Sequence, residues 1–355
     1  MPDAGPIAVI GTGTMGGGIA QWAAQCGFDV LVRDANPTLA AQGVEHIRAR
    51  LARLVERAKL TQEDADAAHA RLQVASEVKD LADCAVVIEA IFEDLELKRA
   101  VFRELDTVNA SGLLATNTSA LSVTKIAGVC KKPQRVLGLH FFNPPALMPL
   151  VEVVRAPQTS DESIDRALAF VRALQKTPVV VKDTPGFIVN RVMRPFYLEA
   201  MRLLAEGGAG VAEIDAAVRG LGFKMGPFEL MDLIGLDVNL AVTKTVHDAT
   251  GRADFAPHPI QRRLVAESRL GRKTRIGFYQ YDQQEKPIGP SPLPPGLVGT
   301  SGTPLNARHI QHRIRQALVA EATRVADEGT ATRDDIAIAM QLGANWPASP
   351  WEWGS

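Results

Sequence analysis

The chain has 355 residues, 46% of them hydrophobic and 22% charged, enough for about two domains, each with a core of its own. Its 39 Lys and Arg against 40 Asp and Glu leave a formal net charge of -1, which argues against a general nucleic-acid binder, because gripping a phosphate backbone takes a clear basic excess. Three widely spaced cysteines, Cys26, Cys84 and Cys130, form neither a disulfide framework nor a metal-ligand cluster, and no apolar run approaches the roughly 18 residues of a membrane span.

The opening MPDAGPIAVIGTG has no basic or Arg-rich leader, so the expectation is a soluble cytoplasmic protein with no metal and no membrane or nucleic-acid partner. Short apolar runs then alternate with helix-like segments, the pattern of a parallel α/β sheet. The candidate strands are Ile7–Ile10, Asp29–Val32, Ala85–Glu89, Leu113–Thr116, Val136–Leu139, Leu150–Val154 and Thr177–Val181. At Thr184-Pro185-Gly186 the strand signals stop and the pattern turns helical, as in Phe187–Glu206, where Ile188, Val192, Phe196, Leu203 and Leu204 lie near one face.

The predicted boundary is near Asp183, dividing a first domain, 1–183, from a helical one, 184–282. Lys286–Pro304 alternates prolines and glycines, which excludes a helix or a central strand, so 283–306 reads as a linker. After it, Glu321–Ala339 lines up with Glu199–Ala217, and Ser-Pro-Trp-Glu (349–352) with Gly-Pro-Phe-Glu (226–229). Residues 307–355 therefore read as an abbreviated second copy of the helical unit.

Ile7–Ile10 runs directly into Gly11-Thr12-Gly13-Thr14-Met15-Gly16, and a helix follows. Gly11 permits the tight turn, Gly13 lets a pyrophosphate approach the backbone, and Gly16 lets the helix pack on the strand. The helix N-terminus then offers N–H groups and a positive dipole to an anion. Asp34 closes the second strand, where a carboxylate bonds ribose hydroxyls and repels a 2′-phosphate, favouring NAD over NADP; Arg33 beside it softens that preference. The first domain therefore reads as a Rossmann-like doubly wound sheet, followed by an all-α domain and an abbreviated helical repeat.

Val87–Lys98 (VIEAIFEDLELK), Thr116–Leu121 (TNTSAL), Gly138–Val153 (GLHFFNPPALMPLVEV), Asp183–Arg191 (DTPGFIVNR), Met225–Asp237 (MGPFELMDLIGLD) and Gly271–Tyr279 (GRKTRIGFY) strongly resemble, in this order, the 3-hydroxyacyl-CoA dehydrogenases of β-oxidation. The resemblance covers residues 5–282, and the tail is similar to the partial repeat of longer members. It implies NAD as cofactor and an acyl-CoA thioester as substrate. The chain departs from the family's pattern at Arg275-Ile276, where many members have a glycine.

His140 follows its strand at the carboxyl end, where α/β sheets place their ligands. The Pro-containing turn 143–149 then brings the chain back, so that Glu152 faces His140. A carboxylate on one imidazole nitrogen fixes the tautomer and leaves the other nitrogen as base, the arrangement that oxidation of a secondary alcohol needs. By pattern alone, Ser119 reads as a helix cap and Asn190 as a surface residue; the resemblance instead makes both substrate-positioning groups.

The resemblance further implies that Glu93, Lys98, Asn143 and Lys273 contact the cofactor with Thr14, Met15 and Ser119, although Glu93, Lys98 and Lys273 also suit solvated charges. Arg50, Arg53 and Arg57, on one helical face of the basic segment 43–60, are candidates for the CoA phosphates against the ordinary reading of a solvated face. In single-repeat relatives the helical unit makes the dimer interface, so a homodimer through that unit is expected. The rival readings are a gulonate-type sugar-acid dehydrogenase resembling lambda-crystallin, and an NAD-binding protein without turnover.

Overall fold

Eight short strands make one sheet in the first half of the chain. A computed structural model describes residues 5–299 and 302–353, so Gly354 and Ser355 of the expected repeat and residues 300–301 of the expected linker lie outside the described residues. Two compact units meet at the Thr184–Pro185 bond.

The first unit runs β1 (Ile7–Ile10), α1 (Thr14–Gln25), β2 (Val30–Arg33), α2 (Pro37–Glu56), α3 (Gln62–Ala70), β3 (Leu72–Val74), β4 (Val86–Glu89), α4 (Leu95–Val108), β5 (Leu113–Thr116), α5 (Val123–Ala127), β6 (Val136–Phe141), β7 (Leu150–Arg155), α6 (Asp161–Ala173) and β8 (Thr177–Lys182). The sheet order is β3-β2-β1-β4-β5-β6-β7-β8. Every pairing is parallel except β6 with β7, which a short turn joins in place of a crossover helix.

The inner strands are apolar throughout because both faces are covered. Ile7 and Val9 point into a core with Ile19, Ile47, Leu51 and Phe170. Ala8 and Ile10 point to the opposite face, toward Phe102, Leu105 and Ile126. The order reverses between β1 and β4, which opens a crevice beyond their carboxyl ends. Here the sequence places the glycine loop.

The second unit is helical: α7 (Val189–Val192), α8 (Arg194–Glu206), α9 (Val211–Arg219), α10 (Pro227–Ile234), α11 (Leu236–Thr250), α12 (Pro259–Ala266), α13 (Ala307–Asp327) and α14 (Arg333–Ala344). The stretch predicted as one helix is split at Met193, ahead of Pro195. Strands do not end at residue 184, however. β9 (Tyr279–Tyr281) pairs antiparallel with β10 (Pro287–Pro290), inside the segment expected as linker. A two-stranded ribbon is all edge, so its prolines interrupt no central ladder.

Two further residues of that segment bond the end of α8 and the turn after it. Gly299 N–H donates to the Ala205 carbonyl and Leu305 N–H to the Gly208 carbonyl, both at 2.8 Å. A β-carbon on Gly207 would stand 1.9 Å from the Gly299 oxygen, so the close approach of the two backbones requires glycine there.

The segments that line up in sequence face each other. Arg191 pairs with Glu321 (2.8 Å) and Glu328 (2.7 Å), while Arg313 pairs with Glu199 (2.7 Å) and Glu206 (2.7 Å). Arg202 adds an ion pair to Glu199 within α8, and Arg324 one to Glu321 within α13. One constant shift in numbering carries Arg191, Glu199, Arg202 and Glu206 onto Arg313, Glu321, Arg324 and Glu328. The contact is self-complementary, as in an isologous dimer, but within one chain.

Candidate active site

The loop between β1 and α1 is built for close approach. Gly11 takes φ +97°, and a β-carbon on Gly16 would lie 1.9 Å from the Gly11 oxygen. In this unit α2 to α6 all have side-chain caps, supplied by Asn36, Thr61, Asp94, Ser122 and Ser160. Gly13 opens α1 with none, and a β-carbon placed on it would meet nothing within 4 Å. The first N–H groups of α1, around Thr14 and Met15, therefore fit the pyrophosphate of a dinucleotide.

Asp34 directly follows β2. Its Oδ2 accepts from Thr12 N–H (2.7 Å) and Thr12 Oγ1 (2.5 Å), and its Oδ1 from Ala35 N–H (2.7 Å). Burial works against its charge, but these hydrogen bonds outweigh it and hold the carboxyl below its usual range. An oriented carboxylate thus stands at the crevice edge.

His140 lies inside β6, which extends two residues beyond the predicted strand, and not after its end. It is directly opposite Glu152 in the antiparallel register. Such a pair places both side chains on the same face, and His140 Nδ1 lies 2.6 Å from Glu152 Oε2. Glu152 is fully buried and His140 is 6% exposed.

Ser119 sits in the loop between β5 and α5, whose cap is Ser122. Glu93 Oε1 accepts from Thr118 Oγ1 (2.6 Å), Ser119 N–H (3.0 Å) and Ala120 N–H (3.2 Å). Lys98 is not a solvated helix charge. It is 1% exposed, bonds the fully buried Glu89 at 2.6 Å and reaches Glu93 at 3.4 Å. Glu89 is a residue that the sequence reading missed. A glutamate ending an apolar buried strand needs a cation, and that was the available signal.

Arg50 is half-buried, and its Nη2 lies 2.9 Å from where a β-carbon on Gly17 would be, over the first turn of α1. Burial lowers its pKa, and its Nε has no hydrogen-bond partner. Arg53 is exposed, while Arg57 is the residue just past the end of α2, which breaks the proposed three-arginine helical face. Asn143 is exposed in the turn after β6. In the second unit, Asn190 lies in α7, and Lys273, in a 3-10 turn, is held by Asp237 at 2.5 and 2.6 Å. Arg275 takes φ +59°, a left-handed conformation that suits glycine better. No helix of the described residues is long and apolar enough to cross a membrane.

Residues 6–184 match the model of the 3-hydroxyacyl-CoA dehydrogenase NAD binding domain, and residues 186–281 that of the 3-hydroxyacyl-CoA dehydrogenase C-terminal domain. The chain belongs to the 3-hydroxyacyl-CoA dehydrogenase family. Its cofactor is accordingly NAD, and its first unit is the NAD-binding domain. Over 285 residues it is 45% identical to the 3-hydroxyadipyl-CoA dehydrogenase of Escherichia coli K12, a match spanning 79% of this chain and 60% of that protein. It is 41% identical to a probable 3-hydroxybutyryl-CoA dehydrogenase of Deinococcus radiodurans, over 77% of this chain and 99% of the relative. The crystal structure of a 3-hydroxybutyryl-CoA dehydrogenase from Escherichia coli K12 superposes with a TM-score of 0.89 at 35% identity, covering 99% of this chain and 91% of that one. The likeness thus extends over the second unit of the chain as well as the first.

Proposed function

We propose that the protein oxidises the C3 hydroxyl of a 3-hydroxyacyl-CoA thioester to the ketone, and catalyses the reverse reduction, with His140 as the acid–base group. The His140–Glu152 pair carries this reading. Glu152 on Nδ1 fixes the tautomer and stabilises the imidazolium, so Nε2 is the atom that takes the hydroxyl proton and returns it in reduction. Bound NAD supplies the hydride acceptor. Gly11, Gly13, Thr14, Met15 and Gly16 hold its pyrophosphate, Asp34 its ribose, and Glu93, Asn143 and Lys273 complete its site. Lys98 has a narrower part, since its ammonium is buried between Glu89 and Glu93: it holds Glu93 in place.

Ser119 and Asn190 orient the substrate oxygen, and Arg50, with Arg53, meets CoA phosphate. The absence of disulfides at Cys26, Cys84 and Cys130 supports a cytoplasmic setting. Residues 184–282 serve substrate binding and assembly, 283–306 connect, and 307–355 are the partial repeat. Because α13 already packs on α8, a homodimer through the helical unit would use another of its faces; light scattering reads whether the dimer forms.

The test is NADH absorbance during acetoacetyl-CoA reduction, beside NADPH and a His140→Ala variant. The expected result is rapid loss of NADH, slower loss of NADPH, and a variant slowed by roughly 10²–10⁴-fold. Turnover of gulonate with none of any CoA thioester would move the protein to the sugar-acid dehydrogenases. NADH binding without turnover of either would leave a non-catalytic protein.

A further inference from the structure

The segment that carries Ser119 is tied down at three points. At its entry, Asn117 Oδ1 accepts from the N–H of Phe141, the residue after His140 (2.9 Å). In the middle, Glu93 takes the donors of Thr118, Ser119 and Ala120. At its exit, a single carboxylate from beyond β8 takes four donors. Asp183 Oδ2 accepts from Ser122 Oγ (2.8 Å), Thr124 N–H (2.7 Å) and Thr124 Oγ1 (2.5 Å), and Oδ1 from Val123 N–H (3.1 Å).

Asp183 lies three strands across the sheet from β5 and two residues before Pro185, where the second unit begins. The helix that it grips, α5, has five residues, far below the ~12–15 that hold their shape alone. Ser122 already serves the Lys125 N–H. Asp183 therefore does more than cap: it determines where the chain leaves the Ser119 loop.

We infer that Asp183 is a positioning residue for the reaction, setting Ser119 against His140 through its grip on residues 122–124. This rests on the reading of Ser119 as a substrate-orienting group. Misplacing a positioned group by about 1 Å costs on the order of 10²-fold in rate, whereas the groups assigned to the cofactor's pyrophosphate and ribose, residues 11–16 and Asp34, make no hydrogen bond to residues 122–124 or Asp183.

The experiment is a double-mutant cycle in the full chain with D183A, S119A and D183A/S119A. It measures kcat and KM for acetoacetyl-CoA and, separately, NADH affinity by fluorescence titration. The expected result is a roughly 10–100-fold loss of kcat in D183A, with NADH affinity within about twofold of the parent. In the S119A background, where there is no longer a hydroxyl to misplace, the further loss should be under about threefold.

A D183A effect equally large with and without Ser119, or NADH affinity falling in step with kcat, would make Asp183 a general structural residue and overturn the inference. D183A at parental kcat would do the same. An S119A variant as active as the parent would instead remove the role of Ser119, and the inference with it, a failure recognisable from that single variant. Should D183A fail to fold, S122A/T124V removes two of the four donors and is read through the same cycle.

Discussion

Lys98 and Glu89 are the most demanding pair of residues in the first unit. Both charges are out of water, 2.6 Å apart, and the remaining lone pairs of Glu89 are taken by Ile91 N–H and Thr116 Oγ1, each at 2.7 Å. Desolvating two ions is costly, so the pair adds little net stability, yet removing one partner leaves a bare charge in the core and costs about 3–5 kcal/mol. Lys98→Ala should lower the free energy of unfolding by that amount, read as a lower urea midpoint at an unchanged slope; a midpoint within experimental error of the parent would show that water reaches Glu89. The sequence signals that Glu89 needs a cation but not which one. A lysine on a helix is ordinarily solvated, and nothing local links it to a glutamate nine residues earlier. His140 and Glu152 were legible for the opposite reason, because a short turn between two apolar runs forces a hairpin, and a hairpin has a register.

At the scale of elements, apolar runs marked strands well because parallel strands are covered on both faces, but their ends depend on what they pair with. β6 gained Phe141 and His140 from pairing with β7. β3 was illegible: it has three residues, of which only Leu72 is buried, at the edge of the sheet. The packing of α13 was equally hidden, since a match between two stretches of sequence does not say where the second one lies. Its anchor is Glu321, 2% exposed and bonded to both Arg191 and Arg252 (2.8 Å each). Glu321→Ala should destabilise the helical unit by about 3–5 kcal/mol, because the nearly buried Arg191 would lose its buried partner and keep only the exposed side's Glu328. Glu328→Ala, on the exposed side of the same arginine, should cost far less. Chemical unfolding followed by far-UV circular dichroism compares the two, and equal losses would refute the ranking.

Across the molecule, the reciprocal ion pairs make the second unit's stability dependent on pH. The hydrogen bonds from Arg191 hold the Glu328 carboxyl below its usual range, and those from Arg252 do the same for Asp254. A carboxyl depressed in the folded state stabilises fully above its unfolded value, near ~4, and that contribution is lost as pH falls through the lower folded value. Melting temperature should therefore decline as the pH is taken below about 4, and Glu328→Gln, which has no proton to gain, should decline less steeply while starting lower. Three of the four tryptophans, Trp346, Trp351 and Trp353, lie in the second unit, so their fluorescence follows it with only Trp22 reporting from the other. Parallel declines in parent and variant would mean that other carboxylates govern acid unfolding. A shallower decline in the variant would tie it to the arginine clamp between Arg191 and the end of α13.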